Sequence, residues 1–182
     1  MAGESTAIMI GAGLAGLIAG CAAAPARAPA IDIPAPLQVP PNHVLAQQLH
    51  GVGAQIYSCR PGKDDDARVE WQLKEPQADL FDASGNKIGK HYAGPSWEAK
   101  DGSKVTGSLL ARSDSPVPGA IAWLLLGAKA TSGSGVFANV RFIQRLNTVG
   151  GNAPPQGCNQ ASAGTEVRVS YSADYWFYVD RP

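Results

Sequence analysis

The sequence predicts an all-β fold: a single-domain β-sandwich or partly closed β-barrel of about eight to ten mostly antiparallel strands. Three observations carry this. Apolar and polar residues alternate with period two along residues 44–182. Clusters of Gly, Asn, Asp, Ser and Pro punctuate the alternating runs. Outside the N-terminus, no helical periodicity extends beyond about two turns. Composition agrees, because 21 Gly and 14 Pro in 182 residues suit a loop-rich β domain better than a helical bundle. With 45% hydrophobic and 16% charged residues, general disorder is excluded. Fifteen Lys and Arg balance fifteen Asp and Glu, and this neutrality argues against nucleic acid as a partner.

Taken in order, Val44–Leu49 has room for a short helix, and Val52, Ala54 and Ile56 then lead as an apolar face into Cys59. Asp64-Asp65-Asp66 fits no calcium-loop spacing and reads as a solvated turn. Val69, Trp71 and Leu73 alternate with Arg68, Glu70, Gln72 and Lys74, which is a half-buried strand. Asp82-Ala83-Ser84-Gly85-Asn86 and Asp101-Gly102 are hairpin connectors. Ile88 and Tyr92 follow the first of these, and Val105, Gly107 and Leu109 follow the second. Ile121–Leu126 is an unbroken apolar run, as in a strand covered on both faces. Ser132-Gly133-Ser134-Gly135 is a turn, Val136–Leu146 is extended, and Asn147–Cys158 is a loop. The clearest strand is the last, with Val167, Val169, Tyr171, Ala173, Tyr175, Phe177 and Val179 on one face. No period of 20–50 residues repeats, which excludes a solenoid or propeller.

The N-terminus has a different character. Ala7–Gly20 is small, apolar and uncharged, too short to span a bilayer and of the length of a signal-peptide core. It ends in Ile18-Ala19-Gly20-Cys21, which resembles the lipobox of bacterial lipoproteins. The resemblance implies removal of residues 1–20, a lipid on Cys21 and membrane attachment through it. One departure is the n-region, where residues 1–6 carry Glu4 and no Lys or Arg. Residues 21–42 are rich in Pro and Ala and read as an extended tether, leaving residues 43–182 as the β domain. Ala22 after the Cys, by resemblance to sorting rules, implies the outer membrane, facing the periplasm or the surface. Gly11-Ala12-Gly13-Leu14-Ala15-Gly16 also matches a dinucleotide-binding fingerprint. That motif requires a βαβ unit, whereas Pro25, Pro29, Pro34 and Pro36 follow here. No cofactor is therefore expected. If Cys21 is lipidated, Cys59 and Cys158 remain as a pair, and in an exported chain they read as a disulfide. The alternative is two buried free thiols.

Further segments carry a family resemblance: Gln55–Cys59, His91–Trp97, Asp101–Val105, Ala122–Leu126, Phe142–Thr148, and Gly157-Cys158 before the Tyr-rich last strand. In this order, over roughly residues 40–180, they resemble the exported family known as domain of unknown function 3455, with members in bacteria and fungi. The resemblance implies no established activity and brings no catalytic residue. Some relatives carry dehydrogenase-like names, but residues 44–182 hold no nucleotide fingerprint to match.

The best candidate ligand site is His91, Tyr92, Trp97, Glu98 and Asp101. Aromatic faces beside carboxylates suit sugar binding, by ring stacking and hydrogen bonding. The structural alternative has Trp97 in the core, a bend at Gly94-Pro95 and a hairpin at Asp101-Gly102. No catalytic residue is assigned: no G-x-S-x-G elbow is present, and sequence cannot set Glu70, Glu75, Glu98 and Asp101 in facing pairs. His43, His50 and His91 have no ligand spacing, so no metal is expected. Arg141, Gln144 and Arg145 read as solvent-facing strand residues, with an anionic ligand as the alternative. The sequence thus points to an exported cell-envelope lipoprotein acting as a non-enzymatic binding or structural module. Its partner would be a glycan, a lipid or an envelope protein. The rival reading is a hydrolase of cell-wall or extracellular polymer working through His91–Asp101.

Overall fold

In the computed structural model, which describes residues 31–62 and 68–182, eight antiparallel strands form one sheet that closes on itself. They are β1 (His43–Pro61), β2 (Val69–Phe81), β3 (Lys87–Tyr92), β4 (Ser96–Ala99), β5 (Lys104–Ser113), β6 (Trp123–Ser132), β7 (Val140–Gly150) and β8 (Glu166–Asp180). Each strand pairs with the next in sequence, and β1 pairs with β8 to close the ring. Closure removes the free edges that an eight-stranded sheet would otherwise expose. Of the two architectures expected, the barrel is the one adopted. Residues 1–20, Cys21, the glycine motif at 11–16, the tether as far as Ala30 and Asp64-Asp65-Asp66 lie outside the described residues.

Turn chemistry works as the sequence implies. At the β2–β3 hairpin the Asp82 carboxylate accepts the backbone N–H groups of Ser84 and Asn86, both at 2.9 Å. At the β4–β5 hairpin Gly102 takes φ 84°, a left-handed conformation that glycine adopts without strain.

The core lies inside the ring, where Leu49, Leu80, Trp97, Val105, Leu126, Phe137, Ile143, Tyr175 and Phe177 form one cluster. β8 lines it as its alternation requires, with Tyr171, Ala173, Tyr175 and Phe177 all buried. Two expectations for β1 are corrected. Val44–Leu49 is strand, not helix, because β8 offers it a full antiparallel partner. The face bearing Val52 and Ala54 is also not the inner one. Gly51 and Gly53 register against Ala173 and Tyr171, and a Cβ on Gly51 would sit 2.6 Å from the Tyr175 ring. The large rings of β8 take the space that side chains on β1 would have filled. Val52 is accordingly 47% exposed.

Two further boundaries move. β7 starts at Val140, because Val136 and Phe137 belong to the β6–β7 turn, and it continues to Gly150. A register shift between Leu146 and Val149 accommodates Asn147 at φ 49°. The folded unit runs from Ile33. A 3-10 turn at Ala35–Leu37 packs on β5 and β6. Leu37 is fully buried there, and its carbonyl accepts Gln144 Nε2 at 2.6 Å. This cover is why Leu125 and Leu126 are both buried although they face opposite sides of β6.

Candidate functional site

The candidate residues lie on β3, on β4 and in the turn after β4, and strand alternation divides them. His91 registers against Trp97, Tyr92 against Ser96, and Lys90 against Glu98. His91 and Trp97 therefore project inward and stack, with ring centroids 4.5 Å apart and planes 14° from parallel. Trp97 also meets Tyr175 edge-on at 5.6 Å. The His91 Nδ1–H donates to the Ser96 carbonyl at 2.8 Å. This fixes the tautomer and leaves Nε2 as an acceptor. Burial pushes the His91 pKa down to about 3, so the ring is neutral at ordinary pH.

Tyr92 and Glu98 lie apart from this pair. The Tyr92 hydroxyl donates to Glu98 Oε2 at 2.6 Å, and Lys90 Nζ lies 3.2 Å from Glu98 Oε1. The Nζ atoms of Lys90 and Lys104 lie over the Tyr92 ring. These partners, Tyr92 first and then Lys90, hold the Glu98 carboxyl below its ordinary range. Asp101 is in a third place. Its carboxylate accepts the Ser103 hydroxyl, the Ser103 N–H and the Val136 N–H at 2.6, 2.8 and 2.9 Å, and these bonds lower its pKa. Ser103 Oγ in turn accepts the Phe137 N–H at 3.1 Å. Asp101 thus ties the β4–β5 turn to the β6–β7 turn and seats Phe137 in the core. The structure brings His91 and Trp97 together inside the ring, pairs Tyr92 with Glu98 apart from them, and sets Asp101 in a third place.

What His91 and Trp97 help to line is a cavity of about 300 Å³ inside the ring. Its walls include Gln55, Pro76, Leu124, Leu126, Arg145 and Tyr175. The opening follows from strand lengths. β2 pairs with β3 only over Ala78–Phe81, and β5 pairs with β4 only over Lys104–Thr106. The short β3–β4 hairpin turns at Ala93–Pro95, while β2 and β5 run on past it. The wall is low there, and Leu73 and Leu109, 55% and 56% exposed, stand at its rim. A larger groove of about 540 Å³, lined by Val52, Gln77, Lys90 and Arg168 among others, is shallow and more polar.

Sequence reasoning missed the direction of two β7 residues, one of which lines the cavity. Arg145 and Gln144 were expected to face solvent. Arg145 instead registers against Leu124 and Tyr175 and lines the cavity. Gln144 is buried against Leu37 and accepts the Tyr178 hydroxyl at 2.7 Å. Only Arg141 is at the surface, bonded to Asp180 at 2.8 Å. The three histidines stand apart: His43 and His50 lie 3.3 and 2.7 Å from Asp180 and Asp174, and His91 is inside. The expected disulfide is present, joining Cys59 to Cys158 across 99 residues.

Residues 40–179 match the model of a family described as protein of unknown function (DUF3455). No curated protein and no solved structure matches the chain.

Proposed function

This chain belongs to the DUF3455 family, whose description carries no activity, and from its geometry we propose that the β domain is a non-enzymatic binding module taking a small, mostly apolar ligand into the barrel. The observation that carries this reading is the cavity. Its volume of about 300 Å³ is at the lower end of ordinary ligand sites, which run from about 300 to 1,000 Å³. It combines apolar walls, an aromatic floor at Trp97 and Tyr175, and a rim with exposed leucines. Of the partners considered from sequence, a lipid-like molecule fits such walls better than a glycan, which needs more polar groups.

The hydrolase alternative gains no support from the arrangement. Glu98 and Asp101 are both held ionised by their own partners, so neither is placed to donate a proton. In the cell, the module would sit in the envelope, tethered by a lipid on Cys21. The unreduced mass of the protein from its host tests this: a chain starting at Cys21 with added lipid is expected, and an unlipidated chain retaining residues 1–20 contradicts it.

Binding itself is tested with 1-octanol, a neutral apolar probe of suitable size. Saturating octanol is expected to raise the melting temperature of the full chain. Leu124→Trp, which fills the cavity, should abolish the rise while the variant still melts cooperatively. A wild type that responds neither to octanol nor to its carboxylate analogue octanoate overturns the reading.

A further inference from the structure

The cavity contains a charge with no counter-charge. Arg145 reaches it from β7, and its Nε and Nη2 both donate to the Ala122 carbonyl, at 3.1 and 2.8 Å. That carbonyl fixes one edge of the guanidinium and neutralises nothing. The ion pairs among the described residues, such as Lys74–Glu166 and Arg141–Asp180, do not include Arg145. The groups that act on it electrostatically are the phenols of Tyr175, Tyr171 and Tyr57, of which Tyr175 also hydrogen-bonds with it. Burial raises the pKa of all three, so they stay neutral. Arginine keeps its proton in proteins, and a largely buried cation without a counter-charge is costly.

Two more donors share the cavity. Gln55 Nε2 and Trp97 Nε1 are buried with no hydrogen-bond partner, and each residue is only 1% exposed. Both residues line the same space as Arg145. Orphaned buried N–H groups are rare in folded proteins and call for an acceptor. The charges at the mouth have partners of their own, Lys74 with Glu166 at 2.8 Å and Glu75 with Gln77 at 3.2 Å.

We propose that the cavity binds an organic carboxylate with an apolar body of the fatty-acid kind, its anionic head taken by Arg145 with Gln55 and Trp97, and its body lying between Leu124, Leu126 and the leucine rim. This inference rests on the binding reading above and adds the charge of the ligand. A carboxylate supplies acceptors for all three donor groups and the missing negative charge. At roughly 30 Å³ per water-sized group, the volume suits a body of about eight carbons.

The test compares three probes of equal length on the full chain at neutral pH, in detergent-free buffer by calorimetry: octanoate, 1-octanol and octylammonium. Octanoate is expected to bind at least about tenfold tighter than octanol, as a charge-assisted contact should, and octylammonium weakest of all. Arg145→Met should abolish the preference, bringing the octanoate-to-octanol affinity ratio down to about one. Because this change also strips the Ala122 carbonyl of its donors, Gln55→Glu serves as a second variant. A carboxylate placed there should cut the octanoate-to-octanol affinity ratio about tenfold. Octanol binding as tightly as octanoate overturns the carboxylate inference and leaves the binding module standing. Binding of neither overturns both.

Discussion

At the scale of single residues, His91 shows how burial turns a reactive side chain into a structural one. Its ring is sandwiched near Trp97 and Tyr175 and bonded to the Ser96 carbonyl. The pKa is about 3 when folded, against an ordinary 6.5. Between these values the unfolded chain binds a proton that the folded chain refuses. Stability from this group is therefore full above pH 6.5 and is lost as pH falls, by about 1.4 kcal/mol per unit. The variant His91→Phe keeps an aromatic ring and cannot titrate. The difference in urea midpoint between wild type and variant should shrink as pH drops from 6.5 towards 4. A difference independent of pH contradicts the assignment. The residue scale also shows what the sequence could carry. That His91 and Trp97 share a face, with Tyr92 and Glu98 elsewhere, was legible from parity across one hairpin once its turn was placed. Arg145 was not legible. Arg141 and Arg145 are four apart and would share a face in a regular strand. The register shift between Val140 and Phe142 separates them, and no residue in that stretch advertises it.

Among elements, strand identity was readable where one face meets the core and the other meets water, as on β8. It failed where the alternation is broken, as at the start of β1, where a register shift falls between Leu45 and Gln47 and Leu45 is 42% exposed. Val44–Leu49 resembled a helix because its pattern mixes two environments, and Ile33–Leu37 resembled tether although Leu37 is wholly buried. Tertiary contact overrides local propensity in both. The segment after β7 has few apolar residues to hold it. Instead it is pinned by the Cys59–Cys158 bridge and by Trp71 Nε1 donating to the Gln156 carbonyl at 2.9 Å. The variant Cys158→Ser should therefore lose up to about 4–5 kcal/mol of unfolding free energy, the chain-entropy value for a loop of this length. Chemical denaturation measures it, and an unchanged midpoint contradicts the role given to the bridge.

For the molecule as a whole, one closed sheet produces both a packed core and a cavity. The ring has few places for a cavity, because β8 fills it with tyrosine and phenylalanine opposite glycines on β1. Among the described residues, space remains where the β3–β4 hairpin stops short of its neighbours. That geometry depends on the relative lengths of strands distant in sequence, which is why the fold class was legible and the cavity was not. The unpaired donors on β1 and β4 and the cation without a counter-charge on β7 belong to three separate segments and meet only in the closed ring.

The most direct measurement follows the four tryptophan indole N–H signals by two-dimensional NMR while octanoate is added. The ligand is expected to reach the cavity and supply an acceptor to Trp97, so its indole signal should shift saturably. The Trp71 signal, already bonded to the Gln156 carbonyl, should stay in place. A Trp97 signal that does not move at saturating octanoate would contradict a ligand in the barrel.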